Sequence, residues 1–384
     1  MKLKKNIFLI FTLFYIYFII ALFESSRGKN FVPFFLEEFS INNAQMSLVL
    51  TFNTIGAIIG GFFSGHFCEK YGHKFVFFLG ALVSTAAVLL APFASNIFLL
   101  GLFNFLFGAG RQLWAVSVDS VIPVLSLGFE SILMNLTHFM YGLGSLTGQN
   151  LYGSLLEYGL HWRKIYLYLG VFFIVSAVLT LLARVPGITV TVNREEKRRE
   201  LLKNPIVYLF VGAVTFSFLG ESVLYTWFIS YMRTSYGFSS ALAAKYAGVY
   251  YLLFALGRLT GGFIINKTGN VKGLKLYLLS GALCIITGLL LRDKGLLVIA
   301  GSGFFISVVF PTLMVVTNTV FKESASFAIG LITTLGNILF VAFFNITGVL
   351  NDLAGTYAAF FTAPVSLIIS WAFIALIDKK AAKA

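Results

Sequence analysis

Stretches of about 20 mostly apolar residues recur along the whole 384-residue chain, and they constrain its fold more than any other feature. An α-helix needs a stretch of that length to cross the hydrocarbon core of a bilayer, and it satisfies its own backbone hydrogen bonds there. Only 11% of the residues are charged, against about a quarter in soluble domains. The sequence therefore predicts an all-α membrane protein and argues against a soluble one.

The apolar stretches and the polar gaps between them predict the domain organisation. Twelve candidate spans lie at residues 6–35, 46–67, 75–95, 97–119, 131–158, 165–185, 205–232, 239–265, 275–291, 295–321, 326–350 and 356–377. The first follows a basic start but is too long for a signal peptide, so we expect it to be retained. The longest polar interruption lies almost at the midpoint. We therefore predict an N-terminal six-helix bundle at 1–185, a cytoplasmic linker at 186–204 and a C-terminal six-helix bundle at 205–384.

The distribution of lysine and arginine predicts the orientation in the membrane. The termini and even-numbered loops hold 18 of the 28 basic residues, and the odd-numbered loops hold six. We expect a multi-pass protein of the cell (inner or cytoplasmic) membrane with both termini in the cytoplasm. The net charge of +13 suits contact with anionic membrane lipid. Because the basic residues are spread along one membrane face, no nucleic-acid partner is expected.

Motifs of catalysis and cofactor binding are not found. The two cysteines predict no disulfide framework, the four histidines lack metal-ligand spacing, and there is no P-loop. We expect no enzyme activity, no cofactor and no metal site, and a monomer.

An internal repeat connects the two predicted bundles. The loop after span 2 reads GHFCEKYGHK at residues 65–74, and the loop after span 8 reads GFIINKTGN at residues 262–270, 197 residues further on. Both copies resemble the signature loop of the major facilitator superfamily. The resemblance implies two pseudo-symmetric six-helix bundles around a central cavity that opens alternately to each side. It also implies a cytoplasmic gate, which we assign to Gly65, Glu69, Lys70, Gly72, Lys74 and Asp119. Asp119, at the end of span 4, is expected to clamp Lys70 or Lys74.

Shorter motifs resemble particular branches of that family. The segments at 133–148, 159–166 and 220–232 (LMNLTHFMYGLGSLTG, GLHWRKIY, GESVLYTWFISYM) resemble the fucose-permease-like branch. FESSRG and GAGRQLWAV are similar to bacterial relatives near glycolipid flippases. The fucose-permease pattern implies one carboxylate in helix 1 and another in helix 4. Here Lys29 and Leu113 stand at those positions, so the chain departs from the branch's usual coupling residues.

Charges inside the spans are the strongest candidates for function, because an isolated charge in hydrocarbon is costly. Glu24 and Arg27 are three residues apart and share a helix face. We predict a coupled pair lining the transport pathway, and the alternative is an ion pair that fixes helix 1. Lys29 lies about 200° from Arg27 around a regular helix, so the alternative for Lys29 is snorkelling to the interface. Arg258, near the end of span 8, is expected to be structural.

Further polar and aromatic residues within the spans complete the predicted site. The predicted substrate and coupling residues are Glu24, Arg27, Lys29, Arg111, Trp114, His138, Tyr141, Glu221, Tyr225, Trp227, Asn318 and Asn337. Packing or an interfacial position is the alternative for Trp114, and packing is the alternative for His138. Interhelical hydrogen bonding is the alternative for Asn318 and Asn337. Glu24 and Glu221 are the predicted protonatable groups, with His138 as a coupling candidate.

The cationic, aromatic-lined cavity predicted for the N-terminal half indicates the substrate class. Arginine binds carboxylate and phosphate groups in a forked geometry. We predict a secondary active transporter for a polar, sugar-like or anionic small solute, working by alternating access with proton coupling. The alternative is an exporter or flippase of an amphiphile, either a glycolipid or a lipophilic drug. A non-transporting receptor would not need Glu24, Arg111 and Glu221 buried in spans.

Overall fold

The structure, a computed structural model, describes residues 6–26, 31–41, 43–125, 128–186 and 194–381, and it is helical throughout. In chain order the helices are α1 Ile7–Ser25, α2 Val32–Glu38, α3 Asn43–Tyr71, α4 His73–Leu90, α5 Ile97–Leu125, α6 Glu130–Glu157, α7 Trp162–Leu182, α8 Arg194–Lys203, α9 Pro205–Tyr236, α10 Ser240–Thr268, α11 Asn270–Leu290, α12 Leu296–Ile306, α13 Val309–Phe321 and α14 Ala325–Ala381. A short 3-10 turn, Ala91–Phe93, follows α4.

Nine helical segments in the described ranges are long and apolar enough to cross a membrane. One of them, Arg292–Asn351, runs through predicted spans 10 and 11. Predicted spans 2 and 5 correspond to α3 and α6, which have 29 and 28 residues. Both are therefore longer than a bilayer requires, although they are not among the nine. The polar residues of α6 lower its mean hydropathy, and His138 and Tyr141 among them belong to the candidate site.

Span 1 is interrupted in the structure. α1 ends at Ser25, where the hydroxyl groups of Ser25 and Ser26 donate to the carbonyl oxygens of Leu22 and Phe23. Such bonds compete with the helical ladder and favour helix ends. Pro33 then lies in the first turn of α2, where its missing N–H costs nothing.

The predicted spans of the C-terminal half also have different boundaries. Span 10 is divided between α12 and α13, because Pro311 cannot donate to the carbonyl of Ser307. The Arg258 side chain supplies the missing donor, with Nε 3.3 Å from the Ser307 oxygen. Spans 11 and 12 form the continuous run α14, in which Gly355 alone has a non-helical backbone, with φ of 82°. Only glycine adopts that angle readily, so Gly355 marks the boundary between the two spans.

The chain forms two compact units. The first contains residues 1–127, 137–192 and 323–334, and the second contains residues 128–136, 193–322 and 335–384. The start of α14 therefore belongs to the first unit, and the start of α6 belongs to the second.

Close contacts between helix backbones position the charged helices of the first unit. On α3, a Cβ at Gly56 would lie 2.0 Å from the Phe105 carbonyl oxygen of α5, and a Cβ at Gly60 would lie 2.5 Å from that of Ala109. On α6, a Cβ at Gly144 would lie 2.2 Å from the Phe18 carbonyl oxygen of α1. Small residues at four-residue spacing permit such approaches between membrane helices. They hold α5 against α3 and α6 against α1.

A polar cluster in the first unit joins the end of α2, the segment after α4 and the start of α7. Arg163 Nη2 lies 2.7 Å from Glu38 Oε1, and Trp162 Nε1 donates to the same carboxylate. Arg163 also donates to the carbonyl oxygens of Pro92 and Ala94. Burial opposes ionisation of Glu38, but the hydrogen bonds from Trp162 and Arg163 outweigh it and hold the Glu38 pKa below its usual value. Glu38 and Arg163 thus tie the end of α2, the segment after α4 and the start of α7 together.

Candidate functional site

Glu24 is the centre of a charged cluster in the first unit, which we call the Glu24 cluster: Glu24 of α1, Arg111 of α5 and Tyr141 of α6. Arg111 Nε lies 3.3 Å from Glu24 Oε1, and the Tyr141 hydroxyl donates to Glu24 Oε2. The side chain of Glu24 is 17% exposed and that of Arg111 is 27% exposed. The pair is therefore largely enclosed, but the guanidinium still has a face that a ligand could reach.

The Glu24 cluster brings together three residues that the sequence predicted separately. Arg27 and Lys29, the other two predicted residues of span 1, lie outside the described residues. The cation that the structure places on Glu24 comes from α5, more than eighty residues away in sequence. A partner on another helix holds α1 and α5 together, which a partner one turn away on α1 would not do.

A second polar cluster lies on the same three helices, and we call it the Asp119 cluster: Tyr17 of α1, Asp119 of α5 and His138 of α6. The Tyr17 hydroxyl donates to Asp119 Oδ1 at 3.3 Å, and His138 Nε2 lies 3.8 Å from the same oxygen. The Tyr17 and His138 rings meet edge to face at 5.3 Å. Asp119 is 3% exposed, so this carboxylate depends on its protein partners for solvation.

Glu221 is the matching acid of the second unit, on α9. Arg258 of α10 is the cation whose charge acts on it, and Glu221 acts in turn on the Tyr250 hydroxyl. Arg258 is buried, stacks over the Phe254 ring at 4.5 Å and bonds the Ser307 carbonyl. The structural role expected for Arg258 is thus combined with a place beside the acid. Tyr225, predicted to share the Glu221 face, is 61% exposed and packs on Tyr251.

The remaining predicted residues lie in more ordinary surroundings. Trp114 is fully buried and stacks on Phe173 at 6.3 Å, which favours the packing alternative. Trp227 is partly buried, and its indole Nε1 has no hydrogen-bond partner in the part of the chain that the structure describes. Asn318 donates to the Met314 carbonyl of its own helix at 3.0 Å, and Asn337 is partly buried on α14.

The predicted gate loop lies between α3 and α4. Glu69 is buried, whereas Lys70 and Lys74 are exposed, and Gly72 has a φ of 85° that favours glycine. A Cβ at Gly65 would lie 2.7 Å from the Phe327 Cα, so the loop packs tightly on the start of α14. Asp119, assigned to this gate from the sequence, contacts Tyr17 at 3.3 Å and His138 at 3.8 Å.

Two hydrogen bonds at the loops repeat the internal symmetry of the chain. In the first unit, His73 Nε2 is hydrogen-bonded to Ser326 Oγ at 2.6 Å. In the second unit, Ser131 Oγ donates to Asn270 Oδ1 at 2.6 Å. His73 and Asn270 are 197 residues apart, the offset of the repeated loop motif. Each residue opens the helix after its loop and bonds a serine in the first turns of a distant helix.

The same offset relates the two acids, because Glu24 and Glu221 are also 197 residues apart. Each lies in an L-x-E-S stretch, LFES in one half and LGES in the other. Extending the repeat from the loops to the first helix of each half would have found this pairing from sequence. Tyr17 and Tyr250, which the sequence analysis missed, carry no such signal because tyrosine is abundant in these helices.

Comparison with known proteins agrees with this architecture. Residues 8–344 match the family model described as Major Facilitator Superfamily. An uncharacterized MFS-type transporter of Yersinia pestis is 24% identical over 327 residues, covering 83% of this chain and 83% of that protein. A TsgA homolog of Buchnera aphidicola is 21% identical over 352 residues, covering 90% and 89%.

Solved structures share the fold across nearly the whole chain. The fucose:proton symporter FucP of E. coli superposes with a TM-score of 0.82 at 16% identity, covering 96% of this chain and 98% of FucP. The proton:xylose symporter XylE has a TM-score of 0.76 at 13% identity, covering 97% and 95%. The human organic anion transporter MFSD10 has a TM-score of 0.68 at 15% identity, covering 97% and 99%.

These matches and the helical architecture establish the family. The chain belongs to the major facilitator superfamily: it is a multi-pass membrane transporter and not an enzyme, with the family's twelve helices in two bundles. The predictions of family and fold class are confirmed.

Proposed function

We propose that the protein is a secondary active transporter that couples movement of a polar, sugar-like or anionic solute to protons through the Glu24 cluster. The observation that carries the proposal is the enclosed ion pair of Glu24 and Arg111, with Tyr141 on the second carboxylate oxygen. Removing charges from water costs more than pairing usually returns. Apolar packing would join these helices at less cost, so the retained pair favours a transport role.

The partners of Glu24 suggest how binding and protonation are linked. An anionic or hydroxyl-rich group of the substrate competes with Glu24 for the partly exposed guanidinium of Arg111. Glu24 then loses its counter-ion in surroundings of low polarity, where a neutral carboxylic acid is favoured over an unpaired carboxylate. It takes up a proton, while Tyr141 keeps its place on the acid as a hydrogen-bond partner. Substrate and proton are thereby bound together.

The structural relatives support the same substrate class. FucP is a fucose:proton symporter, XylE is a proton:xylose symporter, and MFSD10 is an organic anion transporter. The Glu24 cluster contains a hydroxyl and a carboxylate that can hydrogen-bond a sugar, and a guanidinium that can bind an anion. A monomer with cytoplasmic termini is part of this proposal.

Alternating access is proposed to work through the two repeated loop contacts. His73 with Ser326, and Asn270 with Ser131, are short hydrogen bonds at the loops that carry the family signature. These bonds favour one state of the transporter and are broken in the other. The predicted gate residues Glu69, Lys70 and Lys74 lie on the same loop as His73.

A ligand screen tests the proposal. Purified protein is heated with sugars, sugar acids, phosphates and glycolipids, and stabilisation is measured. At a ligand concentration of about 100 Kd, binding adds roughly 2.7 kcal/mol to the free energy of unfolding. We expect a sugar-like or anionic solute to stabilise the wild type but not the double variant Glu24→Gln/Arg111→Gln.

The double variant is the appropriate comparison because it removes both members of the ion pair. Arg111→Gln alone would leave Glu24 without its cation and could unfold the protein for that reason. Stabilisation of the double variant equal to that of the wild type would contradict the proposal. Stabilisation by glycolipids alone would favour the amphiphile exporter.

A further inference from the structure

The Asp119 cluster lies on the same three helices as the Glu24 cluster and is displaced from it along the helix axes. Tyr17 is seven residues before Glu24 on α1, a rise of about 10 Å, and Asp119 is eight residues after Arg111 on α5, a rise of about 12 Å. The shift on α1 is toward the amino end of that helix, and the shift on α5 is toward the carboxyl end. Since His138 also precedes Tyr141 on α6, all three members lie nearer the membrane side on which the chain begins.

The two clusters are close enough to influence each other. Arg111 and Tyr141 of the Glu24 cluster both lie near Tyr17 of the Asp119 cluster. The titratable groups that face Asp119 are Tyr17 on α1 and His138 on α6, with Arg111 further along α5. From α3 and α4 come the Cys68 thiol, which is hydrogen-bonded to Ser117, and His73, whose backbone carbonyl accepts from the Ser117 hydroxyl. A change of charge at Glu24 is therefore expected to act on the Asp119 cluster through Arg111, its ion-pair partner.

The chemistry of the Asp119 cluster suits a proton. A buried aspartate carboxylate beside a neutral histidine forms a pair with one negative charge, and the pair becomes neutral when the histidine is protonated. Histidine is the side chain that exchanges a proton between about pH 5 and 8. The Glu24–Arg111 pair, by contrast, is already neutral as a whole when both members are ionised. The His138–Asp119 pair thus becomes neutral by binding a proton, whereas the Glu24–Arg111 pair is neutral without one.

We propose that the Asp119 cluster is a second proton-binding site, which receives the proton given up by Glu24 and passes it to the side of the membrane on which the chain begins. The inference rests on the proposed proton coupling at Glu24. Glu24 releases a proton and becomes the carboxylate that pairs with Arg111. The proton passes through water to the His138 imidazole, giving an imidazolium beside the Asp119 carboxylate, and from there to bulk water. Tyr17 is a positioning residue that orients Asp119.

Nuclear magnetic resonance of His138 tests this directly. The other three histidines are replaced in the full-length protein by His66→Gln, His73→Asn and His161→Asn. Asparagine is the residue at position 270, the counterpart of His73 in the repeat, and it can replace His161 as a helix N-cap. The protein is labelled with ¹⁵N-histidine, and the protonated fraction of His138 is measured between pH 5 and pH 8 without added substrate.

We expect His138 to change protonation within that range and to respond to both acids. At pH 6.5, Asp119→Asn lowers the protonated fraction at least threefold, because the imidazolium loses its counter-charge. Glu24→Gln lowers it at least twofold, because Arg111 is then left uncompensated. Glu130→Gln, an acid-to-amide change at the partly buried first residue of α6, serves as the matched control and leaves the fraction unchanged.

Three outcomes would overturn the inference. They are a His138 that stays neutral from pH 5 to pH 8, a protonated fraction that Asp119→Asn does not alter, and one that Glu24→Gln does not alter. Because the measurement needs no substrate, it is independent of the ligand screen. Failure here would leave substrate binding at Arg111 intact, and failure of the screen would leave the His138 result standing.

Discussion

Glu24 has different donors on its two oxygens, and this division gives the residue its proposed role. Arg111 supplies a charge that a substrate group can compete for, and Tyr141 supplies a hydrogen bond that survives protonation. A carboxylate with two arginine partners would remain ionised with and without bound substrate. A buried carboxylate with no arginine partner would remain protonated in both cases. The observed pairing leaves Glu24 free to change protonation when Arg111 changes partner.

The first prediction concerns Glu24 itself. Glu24→Gln is expected to keep substrate binding while abolishing pH-driven accumulation, because glutamine retains the shape and the contact to Tyr141 but cannot exchange a proton. Exchange of substrate across the membrane should persist. The measurement is uptake and counterflow in liposomes, using the solute found in the ligand screen, with Glu130→Gln as the control. Full pH-driven accumulation by Glu24→Gln would move the coupling to Glu221.

At the scale of elements, proline and glycine determine where the spans are interrupted. Pro33 opens α2, Pro311 leaves the Ser307 carbonyl without its helical donor, and Gly355 divides α14. The break at Ser307 links two helices. The Ser307 carbonyl has no helical donor and accepts a hydrogen bond from Arg258 of another helix instead. A buried charge and a helix break in the second unit thus stabilise each other.

A double-mutant cycle tests the dependence of Arg258 on Pro311. Arg258→Met keeps the length of the side chain but removes the donor, and it is expected to destabilise the protein by about 1.5–3 kcal/mol, the cost of losing a hydrogen bond from a charged group. Pro311→Ala restores an N–H that can reach the Ser307 carbonyl. In that background the cost of Arg258→Met should fall by about 1 kcal/mol or more.

The cycle is measured by unfolding in detergent, and its design isolates the hydrogen bond. Arg258→Met also removes the cation beside Glu221, but that loss occurs in both backgrounds and cancels. Pro364→Ala, in α14, is the matched control and should not reduce the cost of Arg258→Met. Equal costs of Arg258→Met in the wild-type and Pro311→Ala backgrounds would show that Arg258 acts only through its charge.

The sequence predicted the helical spans far better than it predicted which residues pair with the buried charges. Apolar length is a local property, so the spans could be counted, and buried charges could be recognised because hydrocarbon makes them rare. Which helix supplies the partner depends on close packing, such as Gly144 on Phe18, and no local pattern reports it. Glu24 was therefore predicted as functional and assigned to Arg27, whereas the described partner is Arg111 on a distant helix.

At the scale of the whole molecule, the repeat of 197 residues relates acids, loops and hydrogen bonds in the two halves of the chain. Glu24 and Glu221 correspond, as do His73 and Asn270 with their bonded serines. The cations do not correspond, since Arg111 lies on the fourth helical span of its half and Arg258 on the second. The repeat therefore includes the two acids and the loop hydrogen bonds but not the cations.

The two repeated serine contacts are expected to contribute independently to the same conformational equilibrium. Ser326→Ala and Ser131→Ala each remove one short hydrogen bond, worth about 1 kcal/mol, or roughly a fivefold shift in a two-state equilibrium. Because both contacts are broken in the same alternative state, amide hydrogen exchange should accelerate at residues 323–334 and at residues 128–136 in either variant. Because the sites share no partner, the double variant should show the sum of the two free-energy changes.

Ser84→Ala is the matched control, since the buried Ser84 hydroxyl has no hydrogen-bond partner among the described residues. Acceleration of only the segment that contains the substituted serine would instead show that the two contacts open separately, and no acceleration in either segment would remove these bonds from the gate.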